Sequence, residues 1–149
     1  EPSGQRQKLS RHGDVTFIED CYNARPTSML AALQVLSVQP KTRAIAVLGD
    51  MLELGSLSAQ AHRDVGRAAA QCCDLVFCCG CMAEQIAQSA QENGCTSLYF
   101  KNREDCAAAL INRLRPGDCV LFKASHSMQF EKIIQKAAAA LEEKRSDLV

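Results

Sequence analysis

The chain has 149 residues, enough for one domain that buries about two thirds of its unfolded surface around a single core. Lysine and arginine together number 17, as do aspartate and glutamate, so the formal net charge is zero. This balance argues against the basic surface that nucleic acid or an anionic membrane would attract, and we expect neither partner.

The first elements are predicted to be a hairpin and a helix. Strand-like segments at 6–9 and 15–18 flank a polar stretch, 12–14, that is typical of a tight turn. A turn there places Arg6 across the ladder from about Asp20. Pro26 then begins a helix that ends before Pro40. Its inward face is predicted to consist of Met29, Leu30, Leu33, Leu36 and Val38.

The remaining strands are predicted from apolar runs without alternation, as expected for parallel strands covered by helices on both faces. These runs are 44–48, 75–79 and 119–123, and 97–100 is a shorter strand. Helices are predicted over 58–73, 82–91, 103–114 and 127–142. The domain is therefore expected to span 1–143, with 144–149 as a frayed tail.

Strands and helices that alternate in this order predict an α/β fold. We expect a doubly wound, Rossmann-like sheet that is mostly parallel, with helices on both faces and right-handed crossovers. The opening hairpin would add an antiparallel strand at one edge.

The polar residues that follow the strand at 15–18 form the first candidate site. Ligands of such folds bind at the carboxyl ends of strands, and Asp20 and Asn23 lie at such an end. A carboxylate there can accept hydrogen bonds from both hydroxyls of a ribose, and an amide three residues later reaches the same crevice. The alternative is a local role, because Asp and Asn often cap helices or form Asx turns. Spacing alone leaves both readings open.

Two further strand ends carry polar residues. The loop at 49–55 follows a central strand, and its Asp50 and Glu53 could bind a metal only with further carboxylates, which the neighbouring sequence lacks. We expect this loop to shape the crevice, and we expect no metal site. Residues 123–127 end the last strand and open a helix, where backbone N–H groups and the charge of Lys123 favour a carboxylate. Capping by Ser125 or Ser127 is the alternative.

Nine cysteines and no signal-peptide pattern indicate a reduced, cytosolic protein. No run approaches the ~18 apolar residues of a membrane span. Cys78 and Cys81 form a C-x-x-C motif, which is found in zinc and redox sites. A second ligand pair is lacking, so burial as small hydrophobic side chains is the favoured interpretation. For His62 we expect a packed or capping role.

Three motifs together carry a family resemblance. They are Asp20-Cys21-Tyr22-Asn23-Ala24 with Pro26, the stretch Leu48-Gly49-Asp50-Met51-Leu52-Glu53-Leu54-Gly55, and Lys123-Ala124-Ser125. With these motifs, the chain from about Gly4 to about Glu142 resembles the C-terminal domain of MurF, of the Mur ligase family. The resemblance implies an ATP-dependent ligase that adds D-alanyl-D-alanine to the UDP-MurNAc-peptide in peptidoglycan synthesis, in the bacterial cytoplasm.

The resemblance also implies a division of labour within a longer polypeptide. The peptide carboxylate would attack the γ-phosphate of ATP, and the amine of D-alanyl-D-alanine would take the resulting acyl phosphate. A central domain would supply the P-loop and hold Mg²⁺, and an N-terminal domain would bind the UDP-MurNAc-peptide.

The present sequence contains neither of two phosphate-binding motifs, G-x-x-x-x-G-K-[ST] and G-x-G-x-x-G. We therefore expect no catalytic residue in this domain and no turnover by the domain alone. The sequence begins with Glu1 and not with a methionine, which likewise suggests a piece of a longer polypeptide.

By the resemblance, ATP would contact Arg6, Asp20 and Asn23. The dipeptide would contact Lys123, Ser125, His126 and Ser127. The sequence departs from the family pattern at three positions, since Ala124 stands for glycine, His126 for arginine and Arg25 for asparagine. A free-standing nucleotide- or small-ligand-binding module without catalysis is the alternative function, and a cysteine-based redox or zinc protein is a third.

Overall fold

A mixed sheet forms the centre of the protein in a computed structural model that describes residues 7–147. Its strands are β1 (Lys8–His12), β2 (Val15–Asp20), β3 (Arg43–Gly49), β4 (Leu75–Cys79), β5 (Thr96–Phe100) and β6 (Asp118–Lys123). The α-helices are α1 (Pro26–Ser37), α2 (Ser58–Cys72), α3 (Ala83–Glu92), α4 (Arg103–Arg113) and α5 (Glu131–Asp147). Short 3₁₀ turns at Gly55–Leu57 and His126–Met128 precede α2 and α5.

The strand order is β1-β2-β6-β3-β4-β5. β1 pairs antiparallel with β2, and the other neighbouring strands are parallel. The predicted α/β fold, with a mostly parallel sheet and an antiparallel N-terminal hairpin at its edge, is confirmed. The last strand, β6, is inserted between β2 and β3, so the loops that follow these three strands lie side by side at one end of the sheet.

Two apolar clusters, one on each face of the sheet, explain why the central strands are apolar without alternation. Helices α1, α2 and α3 pack on one face, where Ile18 and Leu48 point, and α4 and α5 pack on the other, where Phe17 and Phe122 point. Successive residues of a strand face opposite clusters, so each must be apolar. Every residue of β4 and β6 is buried.

Some helix predictions were wrong. Leu30 and Val38 are 43% and 70% exposed, and the inward face of α1 uses Ala32 instead. The last helix does not begin at residue 127, because Gln129 has a left-handed backbone with φ of 56°. Helix α5 then continues to Asp147, so residues 144–147 of the expected frayed tail are helical.

Candidate functional site

The carboxyl ends of β2, β6 and β3 bring the candidate residues together. Asp20 pairs in register with Lys123, and Lys123 pairs in register with Leu48 on its other side. Parallel strands that end at one level place the residues that follow them around one crevice. The nucleotide candidates after β2 and the dipeptide candidates after β6 are therefore neighbours.

An ion pair joins the first two of these strand ends. The Lys123 ammonium nitrogen lies 2.9 Å from Asp20 Oδ1 and donates a hydrogen bond to the Asn23 carbonyl oxygen at 2.7 Å. The Lys123 side chain is 2% exposed and that of Asp20 13%. A lysine buried so completely requires such partners. Burial removes the ammonium group from water, and without partners no interaction would replace its lost hydration. The partners of Lys123 in this structure are therefore Asp20 and Asn23, and the expected contact with the dipeptide stays a prediction.

Across the hairpin, Gln7 is the neighbour of Asp20. The register pairs Lys8 with Glu19, so the next position opposite Asp20 is Gln7, one residue from the Arg6 that the sequence suggested. The Gln7 side-chain amide donates a hydrogen bond to Asp20 Oδ2 at 3.1 Å. Arg6 itself lies outside the described residues.

The loop after β2 is bound to the loop after β6. The backbone N–H of His126 donates to the carbonyl of Tyr22 at 3.0 Å, and the rings of these two residues lie 5.5 Å apart. The Tyr22 side chain is 46% exposed, and Asn23 is exposed beside it. Asn23 is therefore an exposed residue at the rim of the crevice whose backbone carbonyl accepts a hydrogen bond from Lys123.

The segment that contains Ser125, His126 and Ser127 borders a cavity. This cavity has a volume of about 390 Å³ and is lined by His126, Ser127, Gln129, Glu131, Lys132 and Gln135. His126 and Ser127 are exposed, whereas the Ser125 hydroxyl is turned toward the Asp50 carbonyl at 3.4 Å. Because α5 begins at Glu131, the N–H groups near Ser127 belong to a 3₁₀ turn, and the helix start predicted there was wrong.

Asp50 has a role that sequence reasoning missed. Its side chain is 5% exposed and accepts three backbone N–H groups at the start of α3, from Cys81 at 3.0 Å, Met82 at 2.8 Å and Ala83 at 2.7 Å. A carboxylate at a helix N-terminus satisfies donors that the helix leaves unpaired. Asp50 thereby joins the loop after β3 to the turn after β4. Its only sequence signal was an aspartate directly after a buried strand.

A family model described as Mur ligase, glutamate ligase domain, matches residues 5–126. The chain belongs to this Mur ligase family. Relatives named UDP-N-acetylmuramoyl-tripeptide--D-alanyl-D-alanine ligase match it, one from Synechocystis at 34% identity over 93% of this chain and one from Bacillus subtilis at 35% over 89%. The chain covers 31% and 30% of these relatives, about a third of their length. The resemblance seen in the sequence is confirmed.

Solved structures of MurF agree with this Mur ligase assignment. A MurF ligase from Thermotoga maritima in complex with ADP matches with a TM-score of 0.80 and 26% identity, covering 94% of this chain and 32% of that one. A MurF from Acinetobacter baumannii matches with a TM-score of 0.81 and 31% identity, covering 89% of this chain and 30% of that one.

His62 of this Mur ligase domain is a packed residue that holds the loop after β3, in line with the role expected from the sequence. Its side chain is fully buried. Nε2 accepts the backbone N–H of Met51 at 3.0 Å, and Nδ1 lies 2.7 Å from the Ser58 carbonyl, to which it donates. Both ring nitrogens are thus used within the domain.

The cysteines of the Mur ligase domain are free thiols, and five of the nine are buried. Burial raises the pKa of Cys21 to about 12, and its thiol donates to the Phe122 carbonyl. A hydrogen bond from Cys106 lowers the pKa of Cys79.

Within residues 7–147, no group of three or more His, Cys, Asp or Glu side chains is arranged to hold a metal ion. None of the helices in that range combines the length and apolar character that a bilayer crossing requires.

Proposed function

We propose that this chain is the C-terminal domain of a cytoplasmic bacterial ligase that uses ATP to join D-alanyl-D-alanine to UDP-N-acetylmuramoyl-tripeptide. The observation that carries the proposal is the 34% identity, over 93% of this chain, to a relative with that name. The ADP bound in a matching MurF structure supports an adenine nucleotide as a ligand of the proposed ligase. The domain's partners would be the N-terminal and central domains of the same polypeptide.

On this proposal, Asp20 and Asn23 contact ATP, together with Arg6. A carboxylate offers about four acceptor positions, and the contacts with Lys123 and Gln7 use two of those of Asp20. Two positions are left, the number that the two hydroxyls of a ribose require. Mg²⁺ would be held by the central domain, and it would neutralise charge on the phosphates.

The dipeptide would bind beside the nucleotide, at Ser125, His126 and Ser127. The 390 Å³ cavity next to this segment carries Lys132 as well as the histidine, so a carboxylate has a cationic group within the same cavity. Closure of the domain over both ligands would exclude water from the acyl phosphate.

The experiment that tests the proposal uses the complete polypeptide that contains this domain. With ATP and UDP-N-acetylmuramoyl-tripeptide, we expect phosphate release to depend on D-alanyl-D-alanine, and we expect the product mass to rise by the dipeptide less one water. Asp20→Ala is expected to raise the KM for ATP, and Ser127→Ala the KM for the dipeptide, each by about tenfold.

Two results would overturn the proposal. Release of phosphate with a single amino acid and none with the dipeptide would assign a different Mur ligase reaction. Nucleotide binding without any product would favour the free-standing binding module. The 149-residue chain alone serves as the negative control, because it lacks the phosphate-binding loop.

A further inference from the structure

Lys123 is enclosed by residues of the nucleotide side of the crevice. The residue is 1% exposed, and two of its three ammonium protons are directed at Asp20 Oδ1 and at the Asn23 carbonyl. Asp20 is the last residue of β2, and Asn23 lies in the loop that follows it. A dipeptide carboxylate could reach this ammonium group only by displacing one of them.

The cavity beside the dipeptide candidates does not include Lys123. Its lining includes the Lys132 ammonium group, which belongs to α5, and the His126 imidazole, which belongs to the segment after β6. Lys123 lies at the end of β6 itself, beneath Ala124, which is fully buried. The cationic group that faces the cavity is therefore Lys132.

We infer that Lys123 is a positioning residue for the nucleotide and makes no contact with D-alanyl-D-alanine. It fixes the Asp20 carboxylate through an ion pair and the Asn23 backbone through a hydrogen bond, and these are the residues proposed to touch ATP. The inference rests on the proposed function. Without the ammonium group, the carboxylate loses the partner that fixes its rotamer, and the Asn23 carbonyl loses its donor.

The test is the effect of Lys123→Met on the two KM values of the complete ligase. Methionine is about as long as lysine but has no charge or donor. We expect the KM for ATP to rise by about tenfold and the KM for D-alanyl-D-alanine to change by less than about twofold. Lys123→Arg, which keeps the charge, is expected to restore part of the affinity for ATP. Lys136→Met makes the same chemical change at an exposed position of α5 and is expected to leave both values unchanged.

Three outcomes would overturn the inference: a rise confined to the dipeptide KM, an equal rise in both values, or no change in either. A wild-type enzyme that shows no dipeptide-dependent turnover would instead reject the proposed function. If Lys123→Met does not fold, the ¹⁵N resonance of the Lys123 ammonium group in the wild-type ligase replaces it. We expect this resonance to shift on addition of ADP and to stay in place on addition of D-alanyl-D-alanine. A shift with the dipeptide, or none with ADP, would contradict the inference.

Discussion

The Asp20 carboxylate and the Lys123 ammonium group, 2.9 Å apart, occupy paired positions at the ends of β2 and β6. These strands are distant in the sequence but adjacent in the sheet, and the ion pair joins their ends beside the hydrogen bond from the His126 N–H to the Tyr22 carbonyl. The loops after both strands carry residues proposed to bind a substrate. The pair therefore has a structural role as well as the positioning role inferred above.

Removal of the Lys123 charge is expected to destabilise the isolated chain. Lys123→Met leaves the largely buried Asp20 carboxylate without its cation, and breaking such a buried pair costs about 3 kcal/mol. Urea unfolding of the 149-residue chain measures this difference, with Lys136→Met expected to fall within about 0.5 kcal/mol of wild type. Equal midpoints for the two variants would show that the ion pair contributes nothing to stability.

Asp50→Asn is expected to loosen the start of α3. Asparagine has one acceptor oxygen where aspartate has two, so the three N–H groups of residues 81–83 cannot all be satisfied. We expect a loss of about 2 kcal/mol in unfolding free energy and faster hydrogen exchange of these amides. Asp64→Asn, at an exposed position of α2, is the matched control. Unchanged exchange at residues 81–83 would contradict the capping role.

Gly80→Ala tests how closely Asp50 approaches the turn after β4. A Cβ at Gly80 would clash with Asp50 Oδ1, and φ at this position is 134°. Gly94 also has a positive φ, of 90°, but a Cβ there meets nothing within 4 Å. Both substitutions therefore carry backbone strain, and Gly80→Ala adds a clash. We expect Gly80→Ala to cost about 2 kcal/mol more than Gly94→Ala in thermal or urea unfolding. Similar losses would mean that Asp50 moves aside without cost.

The raised pKa of Cys21 predicts a loss of stability at alkaline pH. The unfolded thiol ionises near its ordinary pKa of 9.0, whereas burial raises the pKa in the folded chain to about 12. Between these values the folded state holds a proton that the unfolded state releases, so the free energy of unfolding falls as pH rises. Comparison of wild type with Cys21→Ala from pH 8 to 11 isolates this contribution, since other buried thiols are common to both. Parallel stability profiles of the two proteins over this pH range would show that ionisation of Cys21 does not affect the free energy of unfolding.

The fold could be predicted from sequence because its signals are local. Runs such as 44–48 and 75–79 are apolar at every position, and only strands covered on both faces need that pattern. The polar residues 12–14 likewise marked the hairpin turn. The start of α5 was harder to predict from sequence, since the left-handed backbone at Gln129 follows from tertiary structure and no glycine marks it.

The site was predictable only as a set of strand ends. Periodicity placed Asp20 and Lys123 at the carboxyl edge, and the family motifs added their expected roles. Pairing between them could not be deduced, because β6 is the last strand in sequence but lies between β2 and β3. The sequence correctly places Asp50 in the loop after β3, but it gives no sign that this carboxylate caps α3. Its three donors come from residues more than 30 positions away, a distance over which sequence patterns carry no geometric information.

The most direct measurement is a crystal structure of the complete ligase with ADP and Mg²⁺. We predict that the Asp20 carboxylate lies within about 3.2 Å of a ribose hydroxyl oxygen, with Lys123 still paired to it. A nucleotide bound in the closed enzyme at a distance from the ends of β2 and β6 would contradict this, as would a Lys123 ammonium group turned toward the dipeptide.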